Sequence, residues 1–231
     1  MGKSPKSNWA LVTGSAKRIG RAISLELAAH GWDIVVHYHR SFEEAKQLAE
    51  EIQNLGRSAC LAEIDLSIAV MAEQLIPSLV NELGPIGVLI NNAAMFEPDK
   101  NDPDGSHHWA VNAEAPRLLS KAFHAHLNKG EHGAIVNLLD ATSSPAAFSS
   151  YSKSKKFLSD MTLNMAKSFA PKTRVNGVAP MYVLPSARQS EASFRKMTGG
   201  LVVPVEKVAL TVRNLVESPS ETGQIVIVDA S

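Results

Sequence analysis

Cys60 is the only cysteine in this chain of 231 residues. No internal disulfide can form, nothing calls for an oxidising compartment, and a reducing cytoplasm is the expected setting. An excess of either charge is also missing: 23 Lys and Arg face 23 Asp and Glu. With no global field to gather a polyanion, nucleic acid is not expected as a partner. No stretch reaches the ~18 continuous apolar residues that a membrane helix needs, so no membrane partner is expected either. Met1 to Asn8 carries two lysines and no apolar run, and reads as a loose polar arm. Internal repeats and low-complexity tracts do not occur. What remains, with 45% hydrophobic residues, is enough for one sizeable core, expected as a single domain over residues 9–231.

From Trp9 onward, short apolar runs alternate with longer amphipathic ones, as when parallel strands are joined by crossover helices. The strand candidates are Trp9 to Thr13, Asp33 to Tyr38, Ser58 to Ala62, Ile86 to Asn91, Ala134 to Leu139, Thr173 to Val178 and Gln224 to Val228. They predict an α/β fold of the Rossmann type, a doubly wound, seven-stranded parallel sheet with helices on both faces. Gly31 and Gly56 stand where helices would end in left-handed caps, and Ser41-Phe-Glu-Glu44 has the spacing of a capping box. Pro180 to Pro204 has little periodicity and reads as a flap near a site.

Between the first strand and the first helix lies Thr13-Gly14-Ser15-Ala16-Lys17-Arg18-Ile19-Gly20. In that position a glycine-bearing turn presents backbone N–H groups to a pyrophosphate, with Gly14 allowing the turn and Gly20 a close helix–sheet contact. About twenty residues on, the second strand ends His37-Tyr38-His39-Arg40-Ser41, with no acid to hold a ribose 2′-hydroxyl. Arg40, joined by Lys17, Arg18 and the Ser41 hydroxyl, suits a 2′-phosphate, so NADP(H) is expected over NAD. His37 and His39 share a strand face, but without a further Cys or carboxylate they do not make a metal site, and no metal is expected.

Tyr151-Ser-Lys-Ser-Lys155 opens an amphipathic stretch, and its spacing of four sets phenol and ammonium on one helix face. A neighbouring positive charge should lower the tyrosine pKa toward the range useful for proton transfer. Together with the glycine turn, Asn91-Asn92-Ala93-Ala94 and Val111-Asn112-Ala113, these residues make the chain resemble the short-chain dehydrogenase/reductase family over nearly its whole length. The resemblance implies that Tyr151 is the catalytic acid–base and that Lys155 holds the nicotinamide ribose. It implies further that Asn112 supports a proton relay to the lysine. Ile19, His39, Asn91 and Ala93 would line the cofactor site, Asp65-Leu66 would lie beside the adenine, and the turn ending at Pro180 would pass under the nicotinamide. Relatives commonly form homotetramers through the helices carrying Asn112 and Tyr151. Phe157, Leu158, Met161 and Met165 would serve that contact, or else the core of one subunit.

Where a typical member keeps a serine after the fifth strand, this chain reads Ile135-Val-Asn-Leu-Leu-Asp140. Ser143 and Ser144 follow closely and are the rival for the third catalytic group. With Asp140 in that place, and with the Lys17–Gly20 and His37–Ser41 segments, the chain resembles pteridine and dihydromonapterin reductases. In those enzymes the Asp and Tyr serve protonation of a ring nitrogen as hydride reaches the adjacent carbon. The expected activity is therefore reduction of a small pterin-like substrate by NADPH. Its alternatives are a carbonyl or 3-oxoacyl reductase of the same family using Ser143 or Ser144, and a non-catalytic NADP-binding protein, which would not need Tyr151, Lys155 and Asn112 together.

Overall fold

The computed structural model describes residues 8–142, 145–186 and 189–231. The expected polar arm and the two serines Ser143 and Ser144 thus fall outside the described residues, apart from Asn8.

Seven strands form one parallel sheet: β1 (Trp9–Val12), β2 (Asp33–Tyr38), β3 (Ala59–Glu63), β4 (Ile86–Asn91), β5 (Gly133–Leu138), β6 (Thr173–Pro180) and β7 (Ile225–Val228). The principal helices are α1 (Arg18–Ala29), α2 (Phe42–Asn54), α3 (Ala69–Leu83), α4 (Ser106–Trp109), α5 (Ala115–His126), α6 (Ser149–Phe169), α7 (Glu191–Thr198) and α8 (Val205–Glu217). A π-helical turn, Ala110–Glu114, joins α4 to α5.

Strands β4 and β5 are buried at every position, which is why they read as near-continuous apolar runs rather than as alternating ones. Within each strand the pleat sends successive side chains to opposite layers. Ala10 and Val12 pack with Ile23, Leu27, Leu48 and Val212 of α1, α2 and α8. Leu11 packs on the other side with Ile76, Leu119 and Leu158 of α3, α5 and α6. The fold is the doubly wound one expected. Its strand order, β3-β2-β1-β4-β5-β6-β7, reverses direction between β1 and β4. At such a reversal the connections leave to opposite faces and a crevice opens at the carboxyl ends of the strands.

Four local expectations change. Strand β6 runs two residues beyond the predicted Val178 and so carries Pro180 to the rim of the crevice. Proline is tolerated there because it is the last residue of the strand. The stretch taken as irregular contains α7, whose N-terminal Ser190 accepts the Ser193 N–H and whose C-terminal Gly199 is left-handed at φ 62°. The capping box does not form: Ser41 makes no side-chain cap, and Glu44 pairs instead with Lys17 at 2.6 Å. Finally, Leu158, Met161 and Met165 are buried within one subunit, so this stripe is core and not a free face. Gly31 and Gly56 do take positive φ, 93° and 77°, past the ends of α1 and α2.

Candidate active site

The turn after β1 is braced from two sides. The Thr13 hydroxyl donates to Ile90 O at 3.2 Å and accepts the N–H groups of Asn92 and Ala93 at 2.9 and 3.0 Å. Asn92 Nδ2 donates back to Thr13 O and Gly14 O at 2.8 and 3.1 Å. On the other side Gly14 N–H donates to His37 Nδ1 at 2.9 Å, while His37 Nε2 lies 3.1 Å from Ile64 O. With Nδ1 accepting, the proton belongs on Nε2, and the ring is the neutral tautomer that bridges the turn to the end of β3. Burial pushes the His37 pKa down to about 4. Gly20 permits what the sequence suggested, since a Cβ there would stand 2.3 Å from Gly14 O and 2.6 Å from Asn92 Nδ2. Arg18 holds a left-handed φ of 57°, and its Nη2 reaches across to Pro185 O at 2.8 Å.

The opposite wall is built by β5 and α6. Asp140 lies just past β5 and Tyr151 in the first turn of α6, and the phenol donates to Asp140 Oδ2 at 2.6 Å. The other carboxylate oxygen accepts both the N–H and the hydroxyl of Thr142, at 2.7 and 2.6 Å. Lys155, one turn further along α6, is buried and donates to Leu138 O at 2.7 Å, with its Nζ 5.9 Å from the centre of the Tyr151 ring. Burial lowers the Lys155 pKa to about 8 against the opposing pull of Asp140. For the phenol the direction is opposite to the sequence expectation: burial, then the Asp140 charge and hydrogen bond, push the Tyr151 pKa well above its ordinary value. The ammonium does not touch the phenolic oxygen, whereas the carboxylate does, so the contact adds to the effect of burial instead of opposing it.

These walls enclose a cleft of about 910 Å³. Gly14, Lys17, Arg18, Ile19, Gly20, His39, Asp65, Leu66, Ala93, Asp140, Tyr151, Lys155 and Pro180 all line it, as the sequence suggested. Four predicted residues do not. Asn91 is buried, with Nδ2 donating to Asn137 Oδ1 at 2.8 Å and Ser120 Oγ at 3.2 Å; the wall position belongs to its neighbour Asn92. Asn112 is fully buried behind the wall, accepting Met95 N–H at 2.7 Å and donating to Met95 O and Ser154 Oγ at 2.9 and 3.1 Å. Of the four groups expected around a 2′-phosphate, Lys17 and Arg18 line the cleft and Arg40 and Ser41 do not. Lys17 pairs with Glu44 and Arg18 with Pro185 O, while Arg40 acts through its charge on Asp65, helping the Ser67 hydroxyl, the principal cause, to hold that carboxyl low.

Sequence reasoning missed His37 as the brace of the turn, and Thr13, Asn92 and Thr142 as supports. Only Asn92 left a trace, in the doubled Asn. It also missed Phe96, which lines the cleft at 42% exposure, stacked on Phe148 at 4.5 Å and edge-on to Tyr151 at 4.7 Å. Among the described residues no cluster of three or more His, Cys, Asp or Glu is arranged to hold a metal.

The donor set fits a dinucleotide. Lys155 uses one of its three N–H donors on Leu138 O and can offer two to a ribose diol. Gly14, Arg18 and Gly20 surround the amino end of α1, where a pyrophosphate is favoured.

The family model described as short chain dehydrogenase matches residues 8–196. The chain belongs to the short-chain dehydrogenase/reductase family. Among its relatives, pteridine reductase 1 of Leishmania tarentolae is 32% identical over 232 residues, covering 80% of each chain. An uncharacterised oxidoreductase of Methylorubrum extorquens is 33% identical over 201 residues, 84% of this chain and 80% of that one. Among solved structures, FolM alternative dihydrofolate reductase 1 from Brucella canis, complexed with NADP, superposes with a TM-score of 0.89 at 32% identity, over 99% of this chain and 95% of the other. Within this short-chain dehydrogenase/reductase, the cleft described above occupies the place at the β1/β4 reversal where open α/β sheets take their ligands.

Proposed function

We propose that this NADP-dependent short-chain oxidoreductase reduces a pterin-like substrate, of the dihydropteridine, dihydromonapterin or dihydrofolate type. The observation that carries the reading is the 2.6 Å hydrogen bond from Tyr151 to Asp140 at the end of β5. A carboxylate paired with a phenol suits a heterocycle whose ring nitrogen must gain a proton, and is a poor substitute for a hydroxyl that polarises a ketone.

When bound, NADPH supplies the hydride that a ring carbon accepts. Tyr151 gives its proton to the adjacent nitrogen, so that the C=N bond becomes a C–N bond. Asp140, held by both donors of Thr142, keeps the phenol aimed and returns a proton to it from solvent. Lys155 fixes the ribose side and keeps positive charge beside the phenol as it ionises. Asn112, through Met95 and Ser154, sets the wall behind the pair. Phe96 offers a flat apolar surface for a planar ring. The reading extends to a cytoplasmic homotetramer.

The test is NADPH oxidation by the purified enzyme with dihydrobiopterin, dihydromonapterin and dihydrofolate. Turnover with at least one is expected, and oxidation with none of the three would end the pterin assignment.

A further inference from the structure

The amino end of α6 has no cap of its own. Phe148 precedes the helix and makes no side-chain hydrogen bond to it, although the first turn carries Tyr151. The two leading N–H groups are satisfied from fifty residues away in sequence: Asp99 Oδ2 accepts Ser149 N–H at 3.0 Å, and Asp99 Oδ1 accepts Ser150 N–H at 3.1 Å. A carboxylate in that place also meets the positive end of the helix dipole.

The segment that carries Asp99 is anchored at both ends. On the cleft side Phe96 stacks on Phe148 and meets the edge of Tyr151. On the far side Asp102 is buried and takes three donors, His107 N–H at 3.2 Å, His108 N–H at 2.9 Å and His108 Nδ1 at 2.6 Å. The His108 ring turns its Nε2 to Glu97 N–H at 3.3 Å, which closes the loop on itself. Gly105, at φ 71°, then lies so close to α6 that a Cβ would stand 2.8 Å from Ser150 Oγ. Phe96, Asp99 and Gly105 thus all bear on the three residues that lead into Tyr151.

We propose that Asp99 is a positioning residue for Tyr151: its carboxylate clamps the first turn of α6 and fixes the phenol on Asp140, and the loop it belongs to couples a substrate lying against Phe96 to the placement of the acid. The inference rests on Tyr151 as the proton donor of the proposed reaction. Tyr151 sits two and one residues past the clamped amides, so a shift of that turn moves the phenolic oxygen directly.

Asp99→Ala and Asp99→Asn are the variants. The sequence holds three tyrosines, so protein labelled with ¹³C at tyrosine Cζ gives three resonances, and the one lost in Tyr151→Phe is assigned. Asp99→Ala should move the Tyr151 resonance and leave that of Tyr38 in β2 unmoved. It should also lower kcat by about tenfold, the order expected for a misplaced catalytic group, with the dissociation constant for NADPH unchanged. Asp99→Asn, which keeps one acceptor oxygen and is itself a good cap, should recover most of that loss. A Tyr151 resonance unmoved in folded Asp99→Ala overturns the proposal, as does a loss of kcat matched by an equal loss of NADPH affinity. If Asp99→Ala does not fold, Asp99→Asn decides: an unmoved Tyr151 resonance with wild-type kcat overturns it. Should the wild-type enzyme reduce no pterin, the substrate reading fails on its own, and the resonance still decides the role of Asp99.

Discussion

At the scale of single residues, the chemistry turns on which neighbour touches the Tyr151 oxygen. The Tyr-x-x-x-Lys spacing drew attention to the lysine, but the partner in hydrogen-bond contact is Asp140, eleven residues earlier in the chain. Burial, together with that contact, raises the phenol pKa above its ordinary value, so the resting group carries the proton it can give. Tyr151→Phe and Asp140→Ala should each lower kcat by about 10²- to 10⁴-fold, the usual span for a lost general acid, at unchanged NADPH affinity. Steady-state rates and NADPH fluorescence titrations check both; activity surviving Asp140→Ala but lost in Ser143 or Ser144 variants would support a carbonyl or 3-oxoacyl reductase instead. Lys155 sets a second limit. Its ammonium is charged below about pH 8 and loses its proton as the pH rises through that value, because burial disfavours the charge. The NADPH dissociation constant should therefore rise above about pH 8, and Lys155→Arg, which stays charged, should abolish that step. A dissociation constant flat from pH 6.5 to 9.5 would count against Lys155 as the ribose donor.

At the scale of elements, His37 shows how β2 and the glycine turn are made one unit. Its neutral ring accepts from Gly14 and faces Ile64 O, so a proton on Nδ1 must displace the Gly14 bond. The folded pKa of about 4 lies below the 6.5 of a free histidine. Between these values the unfolded chain binds a proton that the folded one refuses, so stability is lost as pH falls from 6.5 toward 4. The full shift is worth about 3 kcal/mol. His124 and His126 are also pushed down by burial, so His37→Asn should remove part of the acid slope rather than all of it, as urea unfolding at pH 7, 5.5 and 4.5 would show. None of this was legible in the sequence, where His37 was only one of two histidines on a strand. Buried parallel strands were legible, because β4 and β5 need apolar residues on both faces. Helix α7 was not, since eight residues with Phe194 and Thr198 as their buried positions carry too short a period to register. The capping box at Ser41 failed because Glu44 found a stronger partner in Lys17. Asn91 failed as a wall residue because the strand still runs at that position and turns its amide inward to Asn137.

At the scale of the whole molecule, the fold and the location of the cleft could be read from the order of strands, turn and helix, since those depend on local pattern. The long-range pairings around the cleft could not, because they join residues far apart in the chain: Arg18 with Pro185, Asp99 with Ser149. The assembly is likewise a matter of surfaces. The stripe on α6 is spent inside one subunit, and the apolar groups left exposed on or beside that helix include Leu163, 39% exposed, Trp109, 44% exposed, and the Phe157 ring Trp109 meets at 4.7 Å. Light scattering should give four times the 24.8 kDa chain mass, and a monomeric mass would contradict the homotetramer. The strand order has a last consequence. The glycine turn and the Asp65-Leu66 pair proposed for the pyrophosphate and adenine follow β1 and β3, while Phe96, Asp140, Tyr151 and Met181, which would face the substrate, all follow β4, on the other half of the sheet. A descendant of this chain can thus exchange one target molecule for another by rewriting loops after β4, provided Lys155 is kept, with its source of reducing power inherited intact.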